Sequence, residues 1–122
     1  MPKKESLLIN RIKSINYAFR GAVQLIKTEA SIQVQFVIAI LITVAGFYFN
    51  LDTTEWIVQI LSICIIISVE GLNTAIEKIA DFIHPEHHSK IGFIKDISAG
   101  AVFISAISGI IIGLIIYLPK IF

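Results

Sequence analysis

The chain has 122 residues, of which 56% are hydrophobic and 16% are charged, and its net charge is +1 at pH 7. Its mean hydropathy of +0.84 is far above that of a soluble globular domain, which excludes a water-soluble core as the basis of the fold. The single Cys64 excludes an intramolecular disulfide. The length leaves room for one domain, and we expect residues 1–122 to form a single membrane domain.

Residues 5–27 show the pattern of an amphipathic helix. Apolar residues recur every three or four positions, while Lys13, Arg20 and Lys27 recur every seven on another face. The apolar positions are Leu8, Ile12, Ile15, Phe19, Val23 and Ile26. A helix with one basic and one apolar side suits a membrane surface with anionic headgroups. We predict a surface helix here; a helix packed on the rest of the protein is the alternative.

Three later segments are apolar and long enough to cross a bilayer, namely residues 30–49, 56–82 and 97–119. At about 1.5 Å per residue, about twenty helical residues cover the roughly 30 Å hydrocarbon thickness. Trp56 opens the second span, where an indole prefers the interface, and Pro85 follows its end. The predicted fold class is therefore all-α integral membrane, with an N-terminal surface helix and three transmembrane helices.

The placement of basic residues predicts the orientation. Nine of the ten Lys and Arg residues lie either before residue 28 or within residues 78–95, and the turn at 50–55 has none. The positive-inside bias then places the N-terminus in the cytoplasm and the C-terminus outside, as an odd number of spans requires. We expect a multi-pass protein of the cytoplasmic (inner) membrane.

Several small or polar residues in the spans are expected to be structural. A small-residue ridge on the third span would let helices approach closely, and it consists of Ala101, Ser105, Gly109 and Gly113. We expect Gln33, Gln35 and Gln59 to form hydrogen bonds between helices, and Trp56, Tyr117 and Phe122 to act as interface anchors. Three helices alone cannot surround a polar site on all sides, so polar groups within the spans suggest that the chain forms an oligomer.

The second span carries carboxylates at membrane depth. An acid at a helix centre costs about 2.5–3.5 kcal/mol on insertion scales, so such residues are functional by default. At about 100° per residue, five polar residues share one narrow stripe: Glu70, Asn73, Thr74, Glu77 and Asp81. Glu29 begins the first span at a depth similar to that of Glu77. Converging carboxylates without matching bases favour Mg²⁺.

Lys95 and Asp96 mark the cytoplasmic start of the third span, and Lys is a common partner of phosphate. Mg²⁺ and a lysine at this rim suit a nucleoside triphosphate, whereas the deeper Glu70 would meet a lipid hydroxyl. The pattern predicts phosphoryl transfer from ATP to a membrane alcohol. No Walker or kinase-type Gly-rich loop occurs. A small transporter, in which Glu70 and Glu77 carry protons or cations, remains the alternative.

The run Glu-Gly-Leu-Asn-Thr-Ala-Ile-Glu at residues 70–77, followed by Asp81, resembles the signature of the bacterial diacylglycerol kinase and undecaprenol kinase family of small membrane kinases. The resemblance extends over roughly residues 11–118. It implies a homotrimer with active sites between subunits, Glu70 as general base supported by Asn73, and Mg²⁺ held by Glu29 and Glu77. The residues that it implies for contact with ATP are Arg11, Tyr17, Glu29, Glu77, Asp81, Glu86, His87, His88, Lys95 and Asp96.

Two features bear on the lipid substrate. After Asp96 the chain reads Ile-Ser-Ala-Gly-Ala-Val, which is more similar to the undecaprenol kinase branch. The surface helix has no Trp, whereas that of the diacylglycerol branch tends to be rich in Trp. The resemblance therefore implies undecaprenol more strongly than diacylglycerol as the alcohol, with Glu70 and Ala99 in contact with it.

Overall fold

The computed structural model describes residues 6–122, and these residues form four α-helices joined by short connections. The helices are α1 (Leu7–Thr28), α2 (Ala30–Tyr48), α3 (Thr53–Ile83) and α4 (Ser89–Ile121). The last three are each long and apolar enough to cross a membrane. The predicted all-α membrane fold with three spanning helices is thus confirmed; the predicted surface helix begins at residue 5, which lies outside the described residues.

Most of the apolar face of helix α1 is not covered by the other described residues. The helix begins after Ser6, whose Oγ accepts a hydrogen bond from the Ile9 backbone N–H at 3.2 Å. None of its residues is buried, and Leu8, Ile15 and Phe19 are each about two-thirds or more exposed. An uncovered apolar face on a helix with a basic side is what binding to a bilayer surface requires.

The chain bends sharply between α1 and α2 at Glu29, the one residue between them, which has an extended conformation. Two contacts hold the bend. The Gln33 side-chain amide donates to the carbonyl oxygens of Ile26 (3.0 Å) and Lys27 (3.2 Å). Leu25 packs so closely on α3 that a Cβ at Gly71 would lie 3.1 Å from its Cδ1. The end of α1 is therefore fixed against both neighbouring helices.

Helices α2 and α3 are joined by a tight turn. Asn50 has a φ of 53°, a left-handed conformation that asparagine tolerates better than most residues. Asp52 and Glu55 then form a capping box at the start of α3, with hydrogen bonds of 2.8 and 3.0 Å. A Cβ at Gly46 would lie 2.6 Å from the Trp56 ring, so this glycine allows the ring to pack on α2.

Polar side chains connect three helices near the Thr53 end of α3. The Tyr117 hydroxyl donates its single proton to the Gln59 side-chain oxygen and the Ile42 carbonyl oxygen, which share it; the latter lies at 3.2 Å. Lys120 and Glu55 form an ion pair at 3.1 Å. The expectation that Gln33 and Gln59 bond between helices is confirmed. Tyr117, however, was expected to anchor at the interface and instead points into the bundle, because a partner for its hydroxyl lies there.

Helices α3 and α4 form the most extensive interface of the described chain. Only the middle part of the small-residue ridge, at Ser105 and Gly109, contributes to this interface. Ser105 is buried, and a Cβ at Gly109 would lie 2.5 Å from Ile66 Cδ1 on α3. Ala101 is exposed, and a Cβ at Gly113 would meet nothing within 4 Å.

Helix α4 begins at Ser89, eight residues before the predicted start of the third span at residue 97. The polar segment is helical because a helix does not have to end where the hydrocarbon ends. At 31 and 33 residues, α3 and α4 are about 46 and 50 Å long, compared with a hydrocarbon layer of about 30 Å. The apolar windows therefore mark the membrane-buried stretch rather than the whole helix.

Candidate active site

The polar stripe predicted on α3 divides into a buried and an exposed part. Glu70, Asn73 and Thr74 are only 8%, 8% and 6% exposed. Glu77 and Asp81, one and two turns further along, are exposed. The buried part lies beside Gly71, where Leu25 of α1 covers the helix. The stripe thus leads from solvent into a region shielded from water.

Asn73 connects the two parts and carries an unsatisfied atom. Its side-chain nitrogen donates to Glu77 Oε1 at 3.3 Å, whereas its Oδ1 is buried and has no hydrogen-bond partner. A buried polar atom without a partner costs about 1–3 kcal/mol. Such an atom, about one helical turn from the buried Glu70, is where a bound water or another hydrogen-bond donor would complete the hydrogen bonding.

Glu29 reaches α3 from the bend between α1 and α2. Its Oε1 lies 3.2 Å from Lys78 Nζ, and the Thr28 hydroxyl donates to the same oxygen at 3.5 Å. Since Lys78 directly follows Glu77, this contact agrees with the expectation that Glu29 lies at a depth similar to that of Glu77. The Lys78 side chain is 70% exposed, so the ion pair is hydrated and easily exchanged. Sequence reasoning missed this role of Lys78.

Lys95 forms an ion pair with Asp81, which ties α4 to α3 at the Ile83 end of the bundle. The sequence had grouped Lys95 with its neighbour Asp96, but consecutive residues on a helix point in different directions. Asp96 itself is exposed. Two predicted nucleotide-binding residues from different helices, Asp81 and Lys95, are therefore in direct contact.

The connection between α3 and α4 carries the predicted histidines. The rings of His84 and His88 lie 5.1 Å apart, and the His88 ring nitrogen accepts a hydrogen bond from the Lys90 backbone N–H at the start of α4. Glu86 and His87 are exposed. Between Ser6 and Phe122, no three or more His, Cys, Asp or Glu side chains are grouped so as to hold a metal ion by themselves.

The remaining predicted site residues lie apart from this cluster. Tyr17 is exposed and borders a shallow cleft on α1 together with Lys13, Asn16 and Arg20. Arg11 is also exposed on α1, and its Cα lies about 27 Å from that of Glu29 if measured along the helix. Ala99 is exposed on α4, one turn after Lys95. A single chain thus does not bring all the predicted nucleotide contacts together.

Comparison with known proteins identifies the family. The family model described as prokaryotic diacylglycerol kinase matches residues 16–117, a range that holds all the predicted site residues except Arg11. An undecaprenol kinase of Bacillus subtilis is 40% identical over 113 residues, which cover 92% of each chain. A diacylglycerol kinase of Escherichia coli is 31% identical over 100 residues, or 82% of each chain.

A diacylglycerol kinase of Haemophilus influenzae is 30% identical over 115 residues, which cover 93% of this chain and 98% of the relative. These matches extend over nearly the whole chain, including the buried carboxylate of α3 and the rim residues of α4. They favour the kinase interpretation of the carboxylate cluster over the transporter. The chain belongs to the prokaryotic diacylglycerol kinase family and is a lipid kinase.

Proposed function

We propose that this lipid kinase transfers the terminal phosphoryl group of ATP to the hydroxyl of a membrane alcohol, undecaprenol or diacylglycerol, with the help of Mg²⁺. The observation that carries the proposal is the buried Glu70, with the unpartnered Asn73 Oδ1 about one helical turn away on the same helix. Counted from Trp56, Glu70 lies about 21 Å along α3 and Glu77 about 31 Å. In a hydrocarbon layer of about 30 Å, Glu70 is inside and Glu77 is at the edge.

In this proposal Glu70 acts as the general base. It accepts the proton of the lipid hydroxyl as that oxygen attacks the phosphorus, while the bond to the ADP oxygen breaks. Asn73 holds the Glu77 carboxylate through its side-chain nitrogen. Its free Oδ1 can accept a hydrogen bond from a bound water, while the single hydroxyl proton of the alcohol goes to Glu70. Because the site is buried, water competes poorly with the lipid for the phosphoryl group.

In this proposal Glu29 and Glu77 would hold a magnesium ion, which is supported by the contact of Glu29 with Lys78, the residue directly after Glu77. Both offer hard carboxylate oxygens, and Glu29 already holds a cation in the form of the Lys78 ammonium group. Two carboxylates leave the other positions of an octahedral ion to phosphate oxygens and water, as is usual for Mg²⁺ with nucleotides. When bound, the ion would neutralise negative charge on the phosphates.

The nucleotide would bind at the Ile83 end of the bundle, where Lys95 and Asp81 meet at the surface. Lys95 would exchange its carboxylate partner for a phosphate, a charge that its ammonium group binds more strongly. The other contacts in this proposal are Arg11, Tyr17, Glu86, His87, His88 and Asp96.

The separation of Arg11 from Glu29 supports an oligomer. Along α1 their Cα atoms are about 27 Å apart, so one nucleotide would touch both residues of the same chain only if both side chains were fully extended towards it. A site that uses both would take Arg11 and Glu29 from different subunits, and we propose the homotrimer implied by the resemblance, with sites between subunits. The N-terminus would face the cytoplasm, where ATP is available, and the C-terminus would face outside.

A phosphate-transfer assay in detergent micelles tests the function. Purified protein with labelled ATP and Mg²⁺ should produce labelled phospholipid from undecaprenol, diacylglycerol or both, and a matched sample without Mg²⁺ should not. Thermal unfolding of the same preparation shows that it is folded. Absence of labelled lipid with both alcohols from folded protein would contradict the proposal.

A further inference from the structure

The end of α1 lies against α3 immediately beside the proposed catalytic carboxylate. Gly71 directly follows Glu70, and a Cβ at Gly71 would lie 3.1 and 4.0 Å from the two terminal carbons of Leu25. Apart from the chain neighbours of Gly71, Leu25 is the only described side chain that such a Cβ would meet within 4 Å. The glycine therefore leaves a recess on α3, and Leu25 fills it.

The polar stripe of α3 is covered by α4 on one side. Ile66, one turn before Glu70, packs on Gly109 of α4. Asp81, at the far end of the stripe, forms its ion pair with Lys95 of α4. The two α3 residues are four and eleven positions from Glu70, and both steps return near the same direction around the helix. Helix α4 therefore runs along the stripe, and water would have to approach from another side.

The adjacent face of α3 is covered by the end of α1. Gly71, Thr74 and Lys78 follow one another at steps of three and four, which places them on one face next to the stripe. Leu25 contacts this face at Gly71, and Glu29, four residues further along, reaches it at Lys78. Thr74 lies between the two contacts and is only 6% exposed. The end of α1 thus closes the side of α3 that borders the polar stripe.

Of these two contacts, the one made by Leu25 is compatible with a loaded site. In the proposed mechanism the Glu29 carboxylate leaves Lys78 for the magnesium ion, and the ion pair is exposed and easily exchanged. The contact of Leu25 with Gly71 is apolar and uses no group that the metal or the nucleotide needs. The hydrogen bonds of Gln33 to two carbonyl oxygens at the end of α1 keep this end in place.

We infer that Leu25 makes the enzyme specific for an alcohol over water, because it closes the site on the α1 side. The inference rests on the proposed kinase function and names the residue that excludes the competing nucleophile. If water reached Glu70, its oxygen would form the bond to phosphorus, the bond to the ADP oxygen would break, and a water proton would pass to Glu70. The products would be ADP and inorganic phosphate. A closed site that excludes water suppresses this side reaction.

The experiment measures ATP hydrolysis by Leu25→Ala without any alcohol, and the ADP formed per phospholipid when an alcohol is present. The matched control is Ile26→Ala, which removes an aliphatic side chain of the same size from a position that is 42% exposed. A third variant combines Leu25→Ala with Gly71→Leu and so moves the leucine from α1 to the recess on α3. Thermal unfolding shows that each variant is folded, and Leu25→Val replaces Leu25→Ala if the latter is not.

We expect Leu25→Ala to hydrolyse ATP about tenfold faster than the wild type, the size of effect that missing carbon groups have in apolar pockets. The ADP formed per phospholipid should rise as well, and Leu25→Val should show a smaller rise in the same direction. Ile26→Ala should change neither quantity, and the exchanged pair should return both towards the wild-type values.

Several results would overturn the inference. Unchanged hydrolysis in Leu25→Ala, or an equal rise in Ile26→Ala, would show that Leu25 does not exclude water. A parallel fall of hydrolysis and lipid phosphorylation would make its role structural. An exchanged pair that hydrolyses ATP as fast as Leu25→Ala would show that filling the recess at Gly71 is not what closes the site.

A second measurement needs no turnover. Thr74→Cys in a Cys64→Ala background is labelled with a water-soluble maleimide, with and without Leu25→Ala. The labelling rate should rise several-fold with Leu25→Ala and stay unchanged with Ile26→Ala; equal rates in all three would overturn the inference. If labelling changes as expected but the wild type phosphorylates no alcohol, the kinase proposal fails while closure by Leu25 stands.

Discussion

At the Thr53 end of α3, polar side chains find partners within the chain, whereas at the Ile83 end some remain without one. The side chains of Asp52 and Glu55 accept hydrogen bonds from backbone N–H groups at the start of α3, and Glu55 also forms an ion pair with Lys120. Towards the other end, Glu70 is buried and the Oδ1 of Asn73 has no partner. The Thr53 end brings polar groups to the edge of the membrane and satisfies them, whereas the stretch from Glu70 to Asn73 lies deeper and leaves hydrogen-bonding capacity unused.

The difference separates structural from functional polar groups. A satisfied polar network in a low-dielectric interior makes the packing specific, as the bonds from Tyr117 to Gln59 and Ile42 do here. An unsatisfied buried atom costs stability, and it is commonly completed by a bound water, an ion or a ligand. Substitutions at the two ends should therefore change different properties, activity at one and stability at the other.

The largest effect is expected for Glu70→Gln. The amide keeps the size of the side chain but cannot accept a proton, so turnover should fall by about 10²- to 10⁴-fold. Thermal unfolding and the cross-linked oligomer should be unchanged, because Glu70 makes no hydrogen bond or ion pair with another described residue that would be lost. Turnover similar to that of the wild type would remove Glu70 as the base.

A smaller effect on activity is expected for Asn73→Ala. The variant loses both the hydrogen bond to Glu77 and the free Oδ1, and we expect turnover to fall by about 10- to 100-fold, as for other residues that orient catalytic or ligand groups. Removal of the unsatisfied oxygen should offset the lost bond, so the unfolding temperature in detergent should change little. The matched control is Ser68→Ala, at an exposed position of α3. A large loss of stability with full activity would show Asn73 to be structural.

The parts of the fold that depend on local pattern were predictable from the sequence. Long apolar windows identified three spans, and the spacing from Glu70 to Asp81 identified one helix face. The ends of the helices were predicted less well. Helix α4 extends to Ser89 because water solvates its polar first turns, and hydropathy reports only the part in hydrocarbon.

Contacts between helices could not be derived in this way. The ion pair of Lys78 with Glu29 depends on the bend at residue 29, and the inward direction of Tyr117 depends on how α4 is rotated against α3. An apolar cleft between α2, α3 and α4 likewise arises from the spacing of these helices. Residue types and periodicity indicate which face is polar, but they do not say which neighbour it meets.

Two neighbouring substitutions should shift the magnesium requirement in opposite directions. Glu77→Gln removes a proposed ligand, so the Mg²⁺ concentration for half-maximal turnover should rise by about tenfold. Lys78→Met removes the cation that competes for Glu29, so the same concentration should fall by about threefold, as expected for an exposed ion pair. Titrations of turnover against Mg²⁺ at saturating ATP measure both. Shifts in the same direction would contradict the ligand roles of Glu29 and Glu77.

The smallest effect, and one confined to stability, is expected at the Thr53 end. Asp52→Ala removes the side-chain oxygen that accepts the Glu55 backbone N–H at 2.8 Å, and loss of such a cap costs about 1 kcal/mol. The unfolding temperature in detergent should therefore fall by a few degrees, while kcat and the Mg²⁺ dependence stay unchanged. Asp52→Asn, whose amide oxygen can still cap the helix, should restore most of the stability. A loss of turnover in Asp52→Ala without loss of stability would show that the Thr53 end also serves catalysis, and the contrast between the two ends of α3 would no longer hold.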